Sequence, residues 1–136
     1  MTSRHESWTL IEEVGGEARL TEIVADFYDR VFDDPLIGFL FQGHDKDRLV
    51  AKQVEYLRAR LGDEEIEYTG KPIRDAHREL PITVGHFDRR HALLEDVLED
   101  WEMPGWVRDE WLELDAALRD LVVRTGEEAR DEYIGD

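Results

Sequence analysis

The sequence contains no cysteine. That alone excludes disulfides, iron–sulfur clusters and thiolate zinc sites. Lysine is nearly absent as well: it occurs at Lys46, Lys52 and Lys71, and every other cationic side chain apart from histidine is an arginine. Positive charge is scarce overall, with 17 Lys and Arg against 34 Asp and Glu, a net charge of −17. Phosphate binding requires a basic patch, so nucleic acid is not an expected partner. No apolar run approaches the roughly 20 residues of a membrane span. Met1 to Ser7 lacks the apolar stretch of a signal peptide. These absences predict a soluble, cytoplasmic protein with no membrane partner. An acid-rich, lysine-poor surface also resembles that of proteins from salt-loving organisms. The Debye length falls to about 3 Å at 1 M salt, which screens the self-repulsion of such a surface.

What the chain does have is helical spacing almost throughout. Its 136 residues suit one domain, 1–136, with about 1–7 and 127–136 as flexible termini. A chain of this size can bury about 68% of its unfolded surface, enough for a core without staples. From Glu17 to Phe32, Leu20, Ile23, Val24, Phe27, Tyr28 and Val31 form a stripe at helical spacing. Gly15-Gly16 punctuates before it and Asp33-Asp34-Pro35 ends it. Leu36 to Phe41 is almost solidly apolar and too short to assign. Asp45 caps a helix over Asp47–Leu61, with Gly62 after it. Residues 63–72 read as loop, Ile73 to Arg78 as a short helix, and Thr83 as the cap of a helix running to about Trp101. Met103-Pro104-Gly105 is a turn, and Trp106 to Thr125 is the last helix. No β-alternation appears, so the fold class is all-α.

One spaced set of residues carries chemistry. The helix over Asp47–Leu61 puts Leu49, Gln53 and Tyr56 on one face. Leu49 would screen a pocket from water, and Gln53 offers an amide donor. Tyr28, on the preceding long helix beside Phe27, offers a hydroxyl. Phe41 supplies a ring able to stack on a flat group. His77 lies 24 positions after Gln53 on a separate short helix, able to face it across a flat cofactor and to ligate a metal through a neutral imidazole. Lys52 can reach the pocket rim to pair with an acid, with Tyr68 and Arg78 as weaker candidates. His86 and His91 are five positions apart, a poor face match for joint ligation, and read as surface or packing residues.

These residues resemble those of the truncated globin family, and most closely its group I, with Tyr and Gln as distal residues. The resemblance spans about residues 8–122. It rests on Gly15-Gly16, Phe27-Tyr28, the stretch from Asp34-Pro35 to Phe41, Arg48-Leu49, Lys52-Gln53-Val54-Glu55-Tyr56 and Leu61-Gly62. It continues through Tyr68-Thr69-Gly70, the His77 helix, Ile82-Thr83 and His86-Phe87. It implies a truncated globin fold, a two-on-two helical sandwich around haem b, and reversible binding of dioxygen, carbon monoxide and nitric oxide. It implies His77 as the iron ligand, Tyr28, Leu49 and Gln53 as distal residues, Phe41 as the stacking ring and Lys52 as a propionate partner. Phe27, Tyr56 and Tyr68 complete the cofactor-binding set. Tyr28 and Gln53 are the residues expected to touch the reacting gas. Some members of the family convert nitric oxide and dioxygen to nitrate, which here would require an external reductase. Whether the chain serves in oxygen transport or in nitric oxide detoxification is left open, and a monomer or weak homo-oligomer is expected.

Departures from the family pattern include Asp63 after Gly62, Glu79 and Pro81 after His77, and Arg90 three positions after Phe87. A charge at that last position is costly if buried. It is expected to snorkel to a propionate or to solvent. The alternative reading is a helical interaction module that has lost or altered its haem binding.

Overall fold

A computed structural model describes residues 9–62 and 82–119. Five α-helices and one 3-10 turn make up this part, with no strand among the described residues. They are α1 (Leu10–Val14), α2 (Glu17–Asp33), α3 (Lys46–Leu61), α4 (Val84–Asp100) and α5 (Gly105–Ala117). The sequence-predicted loop over 63–72, the His77 helix and the end of the last helix lie outside the described residues.

Helix α1 begins on a reciprocal cap: the Glu12 amide donates to the Thr9 hydroxyl at 3.2 Å, and the Thr9 amide donates to the Glu12 carboxylate at 3.4 Å. It stops at Gly15, whose φ of 114° is left-handed, and Gly16 follows at φ 94°. Two consecutive positive φ values suit glycine and little else. The chain thereby turns sharply into α2, as the Gly-Gly pair predicts.

Helix α2 is the central element. It packs against α1, α3, α4 and the 3-10 turn. Its buried residues are Leu20, Ile23, Val24, Phe27, Tyr28 and Val31, the same stripe that the spacing predicts. Each large aliphatic or aromatic side chain fully buried there contributes about 1.5–3 kcal/mol. The core continues through Leu57 of α3, Leu94 and Leu98 of α4, and Trp111 of α5. Asp45 caps α3 by accepting from the Arg48 amide at 3.3 Å, and Thr83 caps α4 by accepting from the His86 amide at 3.2 Å. At Gly62 an added Cβ would lie 2.2 Å from Ile11 Cγ1, so the end of α3 needs glycine to pass close to α1.

The apolar stretch after α2 resolves into a 3-10 turn over Gly38–Phe41. Asp34 organises it. Its carboxylate accepts from the amides of Leu36 at 3.0 Å and Ile37 at 3.1 Å. It also accepts from Arg89 of α4, from Nε at 3.0 Å and Nη2 at 2.7 Å. This one buried acid therefore holds the corner carrying Phe41 and ties it to α4. The hydrogen bond from Arg89, then those from the two amides, hold its carboxyl below the ordinary range against the opposing effect of burial. A lowered carboxyl stabilises the fold above its unfolded value of about 3.9, and that contribution disappears as pH falls through the lower folded value. Asp34→Ala should therefore cost about 1–3 kcal/mol near neutral pH by leaving two amides without their acceptor. Urea unfolding at several pH values checks this. The wild-type advantage should shrink in acid, and an advantage unchanged at about pH 2 would contradict the assignment.

Candidate functional site

Phe27 and Tyr28 are neighbours on α2, and both face inward at 3% and 6% exposure. Their rings meet edge to face with centroids 5.2 Å apart. The 3-10 turn brings Phe41 to the same place, its ring 6.4 Å from that of Tyr28 and 5.5 Å from that of Phe32. Leu49 and Phe41 are half-buried and pack on the core that contains Phe27 and Tyr28. Gln53 is half-buried one turn after Leu49 on α3, on the same face. Tyr56 is buried in an adjoining cluster with Phe87 and Leu118, and the Arg60 guanidinium stands 5.6 Å from its ring centroid. Lys52 has a side chain 38% exposed and 3.7 Å from Glu55 of its own helix. His77 and Tyr68 lie outside the described residues, as does Arg78. A separate cleft of about 410 Å³ opens at the 3-10 corner, lined by Phe32, Phe39 and His44 among others, and shares Phe41 alone with the predicted set.

Arg90, expected to snorkel to a propionate or to solvent, is half-buried, its side chain 18% exposed, and is paired with an acid. Its Nη1 donates to Asp115 of α5 at 2.5 Å, and its guanidinium stands 5.0 Å from the centroid of the Phe27 ring. The second carboxylate oxygen of Asp115 is 2.8 Å from Nδ1 of His91. The His91 ring in turn stacks on Phe87. The acid thus neutralises an arginine that keeps only a minor part of its side chain in solvent. His86 caps α4 and packs against Phe39, so both of these histidines have packing roles as predicted, but His91 also belongs to a charged network. The missed residue is Asp115. The signal was present: 115 falls between Trp111, Leu114 and Leu118 on the inward stripe of α5, where an acid demands a buried partner.

The electrostatics follow from this packing. Burial works to raise the Asp115 carboxyl, but the charge of Arg90 and the hydrogen bonds from His91 and Arg90 hold it below its ordinary value. Burial raises Tyr28, with the charge and hydrogen bonding of Arg90 opposing. Tyr28 therefore keeps its proton and remains a donor. The hydrogen bond to Asp115 raises His91 above its ordinary value, with partial burial opposing.

The sequence profile of the bacterial-like globins matches residues 9–125. The chain belongs to the bacterial-like globin family. A group 1 truncated hemoglobin of Mycolicibacterium paratuberculosis is 36% identical over 90 residues, 66% of this chain and 65% of that one. The chain thus spans just under two thirds of that relative. A group 1 truncated hemoglobin of Synechocystis is 35% identical over 66% of this chain and 73% of its own length. The crystal structure of the truncated hemoglobin from Tetrahymena pyriformis, in its Fe(III) form, superposes with a TM-score of 0.77 at 26% identity, over 86% of this chain and 99% of that one. The truncated, two-on-two globin fold expected from the sequence is therefore the fold of this chain.

Family membership implies haem as the cofactor, and the described residues fit that group. A wall of aromatic and aliphatic side chains holds one buried neutral hydroxyl, that of Tyr28, and the charge of Arg90 is compensated by Asp115. Such a lining suits a flat apolar macrocycle with a small polar ligand beside it.

The His91–Asp115 pair carries a pH signature. A histidine raised on folding stabilises fully below its unfolded value of about 6.5 and loses that contribution as pH rises through the folded value. Asp115 of α5, with Glu95 and Arg90 of its own helix, are the charged groups acting on it. The difference in Tm between wild type and His91→Gln should be widest near about pH 6 and narrow toward about pH 9. A gap that widens with pH would contradict the raised state of His91.

Proposed function

We propose that this globin holds haem b through His77 and uses the pocket of Tyr28, Gln53, Leu49 and Phe41 to bind dioxygen, carbon monoxide and nitric oxide reversibly. The observation that carries this reading is the buried, protonated Tyr28 hydroxyl set among Phe27, Phe32 and Phe41 in a chain of the globin family. Haem iron, when bound, would supply the centre that binds a diatomic gas.

The protein's own residues do the rest. The imidazole of His77 would hold the iron, and the Phe41 ring would pack against the macrocycle. Lys52, with Tyr68 as a weaker candidate, would pair with the propionates, as a partly exposed cation suits an acid. Phe27 and Tyr56 contribute wall. The Tyr28 O–H would donate a hydrogen bond to a polar ligand, and the Gln53 amide would add a second donor. Leu49 keeps water away, which strengthens both hydrogen bonds. Oxygen carriage and nitric oxide detoxification are two uses of this one pocket, and the second calls on an external reductase. The net charge of −17 and the three lysines support operation in concentrated salt, where surface repulsion is screened.

Two variants test the assignment. His77→Ala should abolish haem uptake or convert the five-coordinate ferrous spectrum, measured by haemin titration and visible absorption. Retention of both would remove His77 as the ligand. Tyr28→Phe should speed dioxygen release about 2- to 10-fold in stopped-flow experiments, the rate equivalent of one hydrogen bond. An unchanged rate would mean that Tyr28 does not touch the ligand.

A further inference from the structure

We propose that Arg90 is a positioning residue for Phe27: clamped by Asp115, its planar guanidinium lies over the Phe27 ring and fixes that ring as a wall of the gas pocket beside Tyr28. This inference rests on the haem-pocket reading and deepens it.

A phenylalanine ring is not fixed by its own helix. Its last torsion joins an sp³ to an sp² carbon, and the wells of that torsion are broad and two-fold. Whatever packs on the ring face therefore sets its plane. For the buried Phe27 that neighbour is a cation. The Arg90 guanidinium carbon stands over the ring, 5.0 Å from its centroid, inside the roughly 6 Å within which a cation is attracted to a ring face. The same ring meets Tyr28 edge to face, with centroids 5.2 Å apart and the planes at 63°. Rotation of Phe27 would change that contact and, with it, the wall beside Tyr28.

Packing holds Arg90 in this role. Its Nη1 donates to Asp115 at 2.5 Å, and the Asp115 side chain is 3% exposed. The other carboxylate oxygen of Asp115 is 2.8 Å from Nδ1 of His91, whose ring stacks on Phe87. The acid is thus held from two sides, and the guanidinium that it holds is planar and pre-organised. Most of the Arg90 side chain is out of water, which strengthens the attraction between cation and ring. Arg89, the preceding residue, commits its own guanidinium to Asp34 and so to the corner that carries Phe41. Two consecutive residues of α4 thereby set two rings, Phe27 and Phe41, whose centroids stand 5.2 Å and 6.4 Å from that of Tyr28. Arg90 shapes the space around a bound gas without touching it.

Removing Arg90 alone strands Asp115, so the test uses the paired variant Arg90→Met with Asp115→Leu, which replaces the ion pair by apolar volume. A second variant, Arg90→Lys, keeps a charge for Asp115 but removes the planar group over the ring. Circular dichroism checks the fold of both. The first readout is a double-mutant cycle in urea. The paired substitution should change the folding equilibrium constant about 2- to 30-fold less favourably with Phe27 present than in a Phe27→Leu background, the equivalent of one cation–π contact. The second readout is the flipping of the Phe27 ring, followed by NMR in protein carrying ring-labelled phenylalanine, with carbon monoxide added where haem is bound. The Phe27 signal is the one missing from Phe27→Leu. Flipping should be about tenfold faster in both Arg90 variants, within what one cation–π contact can supply. Equal effects of the paired substitution in both backgrounds, or unchanged flipping in Arg90→Lys, would overturn the proposal and leave the ion pair as a plain tie between α4 and α5. The third readout is dioxygen release from the haem-loaded protein. The paired variant should release about 2- to 10-fold faster when Phe27 is present and should change little in the Phe27→Leu background. An equal change in both would also overturn it. Failure to take up haem would sink the functional reading, while the cycle and the ring flipping would still decide the role of Arg90.

Discussion

The packing around Phe27 is organised by one largely buried ion pair, Arg90 with Asp115. A guanidinium inside a protein costs several kcal/mol in lost hydration, and only a well-placed counter-charge with further hydrogen bonds offsets that. Asp115 supplies both, and His91 completes it by occupying the remaining carboxylate oxygen. Because the three residues come from two helices, the pair also fixes how α4 and α5 meet beside α2. Break it from either side and a bare charge is left next to Phe27 and Tyr28. The same arginine that would be anomalous in an apolar pocket is thus charge-compensated beside the Phe27 ring.

A second buried acid plays a parallel role at the C-terminal end of α2. Asp34 joins the 3-10 corner to Arg89, so adjacent arginines of α4 are committed to different acids. Arg89 fixes the turn that delivers Phe41, and Arg90 lies over Phe27. The rings that frame Tyr28 are therefore positioned by polar contacts as much as by apolar packing. In a chain with such an excess of acid, these arginines are used where two hydrogen bonds to one carboxylate, or a ring face, can exploit a planar cation. Lysine, with its single charged point, would not replace either.

Local signals in the sequence were enough for the elements whose cause is local. The inward stripe of α2, the Gly15-Gly16 turn and the caps at Asp45 and Thr83 depend on residues a few positions apart, and each stands where its spacing placed it. The convergence of Phe27, Tyr28 and Phe41 followed from the family pattern and is present in the fold. Leu36 to Phe41 could not be assigned because its shape is set by Asp34 and Arg89, the latter more than fifty positions away. The fate of Arg90 was hidden for the same reason: its partner is on another helix, 25 positions on, and no periodicity links the two. An acid on the inward stripe of α5 was the clue, and it gains meaning only when paired with a second charge in the core.

The proposed pocket combines the buried Tyr28 hydroxyl and the Phe41 ring with His77 as the proposed ligand of a haem that would bind a small gas. The most direct measurement is the visible absorption spectrum of the purified protein in high salt, oxidised, reduced, and reduced under carbon monoxide. The account predicts a Soret band that shifts sharply when carbon monoxide is added, because haem is bound and one axial position is open to a gas. No Soret band, even after haemin is supplied, would contradict it and leave a globin fold without globin chemistry.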